Sequence, residues 1–135
     1  MTHKYIGTKI ITAWAAVGKD GAPGYGVKYE DGYTSWSPKA QFEAAYRDIE
    51  GPVQALTFGD ALHMLKLGKR VARSGWNGKG MWLKLVPADL ADKIAFEYAA
   101  LNALPWIGMK TADEKFVPWL ASQTDVLAEE WMVIE

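Results

Sequence analysis

Cysteine is absent from the 135 residues, which excludes disulfides and thiolate metal sites. Histidine is nearly absent: His3 and His63 cannot build a catalytic triad or a dense metal site in a cysteine-free chain. An excess of one charge is missing too. Fifteen basic residues stand against sixteen acidic ones, and a net charge of -1 supplies no field to hold a long polyanion such as DNA. No apolar run approaches the roughly eighteen residues of a membrane-spanning helix. The start, Met1 to Gly7, carries Lys4 but no following apolar stretch with a small-residue cleavage site. The chain is expected in the cytoplasm, away from membranes and long nucleic acid, with any phosphate site local.

What is present is aromatic and apolar. Half the residues are hydrophobic and seven are tryptophan, the balance of an ordered globular protein. At this length roughly two thirds of the unfolded surface can be buried. The pattern predicts an α+β fold: a small antiparallel sheet with short helices, preceded by a small ββ-β-α module.

Lys4 to Val17 is rich in Ile, Thr and Trp and predicts a strand ending at the loop Gly18 to Gly24. Tyr25 to Glu30 and Tyr33 to Trp36 predict a hairpin across the two-residue turn Asp31-Gly32. Ser37 as N-cap and Pro38 at the first helical position then open a short helix to Arg47. Asp48 to Gln54, with Gly51-Pro52, breaks every periodicity, so residues 1-50 are expected as one module of open role and 55-135 as the second domain.

Thr57 and Asp60 approximate a capping box for a helix with Phe58, Ala61, Leu62 and Leu65 on one face, stopped at Gly68. Strands are predicted at Lys69 to Arg73 and Met81 to Val86, around the loop Ser74-Gly75-Trp76-Asn77-Gly78-Lys79-Gly80. A further helix is expected over Pro87 to Leu104, then strands at Trp106 to Lys110 and Lys115 to Trp119. Leu120 to Asp125 reads as a polar loop before a short acidic helix through Glu130, and Trp131 to Glu135 as the last strand.

The glycine-rich loop lacks the lysine-hydroxyl pair of the P-loop and the spacing of the dinucleotide fingerprint. Its neighbourhood nevertheless suits a nucleotide. Arg70, Arg73 and Lys79 can meet phosphate, Asn77 can read a base or ribose edge, and Trp76 offers a stacking plane. For any one tryptophan, core packing is the commoner role. Trp14, Trp36, Trp82 and Trp131 lie in apolar patterns and are expected in the core, whereas Trp76 and Trp119 border polar stretches and lean toward a site. Asp113-Glu114 and Glu129-Glu130 read as solvated charge.

Four segments occur in a fixed order: Phe58-Gly59-Asp60-Ala61-Leu62, Ala72 to Met81, Met109-Lys110-Thr111-Ala112-Asp113, and Pro118 to Asp125 followed by Trp131. Together they resemble the second Thoeris anti-defence family of phages, from about Leu56 to the C-terminus. The resemblance implies a sponge rather than an enzyme, acting in the host cell cytoplasm without a cofactor. Members bind, without cleaving, cyclic ADP-ribose isomers made by TIR-domain enzymes, and some also hold cyclic oligonucleotides. They assemble as homotetramers with pockets between subunits. The ligand-facing positions it implies are Phe58, Arg73, Trp76, Asn77, Trp106, Gln123, Thr124 and Asp125. Tyr5-Ile6-Gly7-Thr8-Lys9 and Ser35-Trp36-Ser37-Pro38-Lys39 resemble a segment of other phage proteins that implies no activity.

Two other classes stay open on the residues alone. A structural or interaction protein would use the aromatics as an oligomer interface. A nucleotide hydrolase would need a positioned base or metal, for which the scarcity of histidine and lack of cysteine leave little material.

Overall fold

The computed structural model describes residues 1–76, 80–88 and 103–134, so most of the helix expected over Pro87 to Leu104 lies outside the described residues. The architecture is α+β, and the chain divides into two compact units, Met1–Tyr46 and Arg47–Glu135.

In the first unit, β1 (Thr12–Val17), β2 (Pro23–Lys28) and β3 (Thr34–Pro38) form an antiparallel sheet in that order. The strand expected from Lys4 begins only at Thr12, because Thr12 pairs with Lys28 and β2 offers no partner beyond it. The hairpin loop has three residues rather than two. Tyr29 N–H donates to the Tyr33 carbonyl, Gly32 takes φ 88°, and Asp31 is not among the positive-φ residues that a two-residue turn would require. A single glycine in the left-handed region then closes a type I turn.

Helix α1 (Lys39–Ala45) starts one residue later than expected, with Pro38 itself at the N-cap. It places Phe42 on Tyr25, ring centroids 4.1 Å apart, on one face of the sheet. The opposite face carries Trp14 and Trp36, both paired with Gly26 across β2. These tryptophans are not core residues, as their pattern had suggested: their rings cover Gly26 and Gly24 and keep 47% and 39% exposure. Rings over strand glycines cover the backbone that a missing side chain leaves open.

The second unit is built on a five-stranded antiparallel sheet ordered β7-β6-β5-β4-β8. Its strands are β4 (Val71–Arg73), β5 (Trp82–Val86), β6 (Trp106–Lys110), β7 (Phe116–Pro118) and β8 (Trp131–Val133). Helix α2 (Phe58–Lys66) lies across one face. The expected capping box is present: Thr57 Oγ1 accepts from Asp60 N–H, and the Asp60 carboxylate accepts from Thr57 N–H. Gly68, at φ 86°, stops the helix.

The core forms where the buried helix face, Ala61, Met64 and Leu65, meets Leu56, Val71, Leu83 and Trp131. Burial of one such leucine or valine side chain stabilises by about 1.5–3 kcal/mol. The outer edge of β8 is closed by the segment before α2. Leu56 exchanges both backbone hydrogen bonds with Trp131, and the Gln54 side-chain amide donates to Val133 C=O and accepts from Val133 N–H. Residues Gln123–Leu127, part of which was expected as a polar loop, form the short helix α3, because Ser122 and Asp125 build a second capping box.

Candidate functional site

Trp131 organises the helix-bearing face of the second unit. It is fully buried, and its indole N–H donates to the Asp125 carbonyl at 2.9 Å. Phe58, from the first turn of α2, approaches it to 5.5 Å between centroids. Trp76 meets it nearly edge-on at 5.5 Å, and Trp119 at 6.1 Å. Perpendicular rings at this spacing pair a positive edge with a negative face. Trp76 therefore leans on the core against Trp131 while staying partly exposed, rather than standing clear of the protein as its glycine-flanked position had suggested.

Beside this cluster, β4 delivers Arg73 on the same sheet face as Trp131, its cross-strand partner. Its guanidinium is engaged on three nitrogens: Nη1 donates to Asp125 at 2.9 Å, and Nε and Nη2 reach Glu130 Oε1 at 2.6 and 2.5 Å. The other Glu130 oxygen accepts from Ser74 Oγ at 3.0 Å and Gly75 N–H at 2.9 Å. Glu130 is thus not the solvated charge its sequence context suggested.

The electrostatics follow. Hydrogen bonds to Asp125 and Glu130 push the Arg73 guanidinium above its ordinary value. Burial pushes the Asp125 carboxyl up, but Arg73 and the Ser122 hydroxyl and N–H outweigh it and hold the carboxyl below its usual range. Glu130 behaves alike, with burial opposed by the Gly75 N–H, Arg73 and Ser74. Two carboxylates around one guanidinium leave an excess negative charge, so Arg73 here is no open cation for a pyrophosphate. The arrangement instead presents acceptors, which suit hydroxyl groups.

Of the eight candidate positions, Phe58, Arg73, Trp76 and Asp125 come together on this face. Gln123 and Thr124 are exposed in the first turn of α3, with Thr124 Oγ1 bonded to Ser122 Oγ. Asn77 lies outside the described residues. Trp106 is on the other face of the sheet: Ile107 and Met109 turn toward the core, and alternation sends Trp106 the opposite way, against Phe116 at 5.8 Å. Arg70 is also on that face, over the ring of Trp82 at 4.9 Å. Sequence reasoning missed Glu130, Ser122 and the hub role of Trp131. Only Ser122 had a readable signal, the Ser-x-x-Asp spacing of a capping box.

A hollow lined by Ile49, Gln54, Met64, Lys69 and Val133 includes none of the eight positions. Among the described residues, no group of three or more His, Asp and Glu side chains converges as metal ligands would, and no helix is long and apolar enough to cross a membrane.

Comparison with known proteins places this face in a family context. Over 84 residues, covering 58% of this chain and 94% of the relative, the sequence is 46% identical to Thoeris anti-defense 2 of Bacillus phage SP01. Through residues 56–134, more than half its length, the chain belongs to the Tad2-like family, the Thoeris anti-defense 2-like domain.

Proposed function

We propose that this protein is a phage anti-defence sponge, binding and sequestering, without cleaving, a cyclic ADP-ribose-type signal made by TIR enzymes of Thoeris immunity. An anti-Thoeris role follows from its family, and the observation that carries it is the match over residues 56–134. Related cyclic nucleotides, including cyclic oligonucleotides, fall within the same ligand class. The protein acts in the host cell cytoplasm and assembles as a homotetramer. Leu120, Leu127, Phe116 and Val126 supply exposed apolar surface suited to subunit contact.

In this reading Phe58 and Trp76 offer ring surface to the adenine base. Asp125, Asn77, Gln123 and Thr124 receive ribose hydroxyls, Arg73 holds Asp125 in place, and Trp106 serves from the opposite face, toward a neighbouring subunit. Sequestration rather than hydrolysis is supported by the state of the carboxylates. Asp125 and Glu130 are committed to Arg73 and to hydrogen-bond donors around it, and an acid held ionised in this way is a poor base for activating water. A ligand of about thirty-five heavy atoms at ~0.3 kcal/mol per atom gains about 10 kcal/mol, or tens of nanomolar, enough to titrate a signal without turnover.

The test is to express the full chain beside an active TIR signalling enzyme, purify it, denature it with heat and identify the released small molecules by mass spectrometry. An intact cyclic ADP-ribose isomer in stoichiometric amount is the expected outcome. Linear ADP-ribose produced over multiple turnovers would make it an enzyme, and the absence of any nucleotide would return it to the structural proteins.

A further inference from the structure

The sheet of the first unit carries a separate aromatic surface, on the face away from α1. Cross-strand partners project from the same side of a sheet, so that face consists of three rows. Thr12, Lys28 and Thr34 form the first, Trp14, Gly26 and Trp36 the second, and Ala16, Gly24 and Pro38 the third. Glycine occupies the middle of two rows, and the indoles of the flanking strands fill the space. A Cβ on Gly26 would lie 2.3 Å from Trp14 Cε2 and 2.5 Å from Cζ2 and Nε1. An approach in the ring plane would meet those two rim atoms before the fusion carbon, so Gly26 lies beneath the face of Trp14. Trp36 covers Gly24 and Gly18 with its six-membered ring, and its indole N–H donates to the Ala16 carbonyl at 2.9 Å, which fixes the ring's orientation.

Singly exposed rings need no explanation, whereas two in one cross-strand row, each braced on backbone and each still open to solvent, make a contiguous platform. The rest of the face selects the ligand. Of the nine residues in the three rows, all among the described ones, only Lys28 is charged, with exposed Thr12 and Thr34 on either side of it. A cation beside the rings repels a cationic guest that their negative faces would otherwise attract. One lysine cannot neutralise a phosphate backbone, and the unit as a whole sets five lysines against four acidic residues. A protein partner is disfavoured by size: three strands about 4.8 Å apart and five or six residues long span roughly 250 Å², about a third of the ~800 Å² per partner of a stable interface. A small neutral ligand fits, with a C–H face for the indoles and hydroxyl groups for Thr12, Lys28 and Thr34. A pyranose sugar has both, since its C–H hydrogens, made positive by the neighbouring oxygens, meet the negative face of an indole.

We infer that the Trp14 and Trp36 face of the first unit is a binding platform for a neutral oligosaccharide. Trp14 and Trp36 stack on the sugar rings, while Thr12, Thr34 and Lys28 hold hydroxyl groups at one end of the platform. The glycines of β2 seat both indoles on rigid backbone, so the surface is organised before the sugar arrives. This site is independent of the sponge reading, which concerns residues 56–134, and it gives the first unit a role of its own.

The test is a magnetic resonance titration of the full, nitrogen-labelled chain with cellopentaose, maltopentaose and chitopentaose, which span β-linked, α-linked and N-acetylated neutral glycans. At least one of them should shift the Trp14 and Trp36 indole N–H signals and the Gly26 amide in a saturable way, with a dissociation constant on the order of a millimolar or tighter. Trp14→Ala should weaken that binding roughly tenfold. Thr12→Val, which leaves both rings in place, should weaken it severalfold through one lost hydrogen bond. If Trp14→Ala does not fold, the wild-type shifts and Thr12→Val decide. No shift with any of the three sugars overturns the proposal, and so do shifts confined to residues outside the three rows. Tighter binding of oligothymidylate or of a polyproline peptide to the same face overturns the assignment to a neutral sugar.

Discussion

In the unit Arg47–Glu135, Trp131 is sealed from solvent and Phe58, Trp76 and Trp119 pack around it, whereas in Met1–Tyr46 two tryptophans lie on the surface over glycines. The first arrangement needs a second layer, which α2 supplies. The second works without one on that face, since Gly24 and Gly26 let each indole settle against backbone and cover it. Val27 is the buried hydrophobic residue of that smaller unit, so its order rests more on strand pairing and ring stacking than on a filled interior. The same residue type thus reads as core in one context and as a roof in the other. Its partner across the strand decides which.

Removing the ring at each place should break the comparison most visibly. Trp131→Ala is expected to cost the larger unit about 3–5 kcal/mol, and Trp14→Ala well under half as much, because its ring is already nearly half exposed. Urea melts read by hydrogen exchange along the chain report the units separately, and equal losses would show that Trp14 is as essential as a buried ring.

Filling the glycines probes the same contrast from below. A Cβ at Gly24 would lie 2.4 Å from both the Ser37 carbonyl and the Trp36 ring, and one at Gly26 would lie 2.3 Å from the Trp14 ring. Trp14 can swing outward, but the Ser37 carbonyl belongs to the neighbouring strand and cannot. Gly24→Ala should therefore cost more than Gly26→Ala, within the roughly 1–3 kcal/mol typical of overpacking. Thermal melts that rank them in the reverse order would refute the roof description.

Acid should produce the smallest effect, confined to the larger unit. Asp60, Asp125 and Glu130 are held below their ordinary values, so at intermediate pH the unfolded chain binds more protons than the folded one. Their contribution is complete above the unfolded values of about 3.9 for Asp and 4.3 for Glu, and is lost as pH falls through the lower folded values. Denaturation midpoints from pH 7 to pH 2 should decline over that acid limb, and Glu130→Gln should flatten it. An unchanged slope would mean that Arg73 contributes nothing through this pair.

Much of this fold was legible because local chemistry dictated it. The Thr57–Asp60 capping box, the Gly68 stop and the strand Trp106–Lys110 all follow from short-range rules. The failures share one cause. Trp14 and Trp36 sit in apolar runs, and nothing within those runs reveals that β2 would set glycine opposite them. Glu130 stands beside Glu129 in a polar stretch, and its role appears only when antiparallel pairing brings Trp131 beside Arg73, 58 residues apart in the chain. In the candidate site, the local motif places Phe58, Arg73, Trp76 and Asp125 on one face, while strand alternation, invisible to motif reading, turns Trp106 away.

The side chain of Gln54 has a consequence for how copies of this protein can meet. By engaging both backbone groups of Val133 it acts as a one-residue strand, and with Leu56 it leaves the outward-facing groups of β8 no capacity to recruit another chain. An open strand edge is a template for runaway fibre growth. Here that route is shut on the β8 side by one amide, so finite closed assemblies built through side-chain surfaces are favoured over filaments that grow through this edge of the backbone.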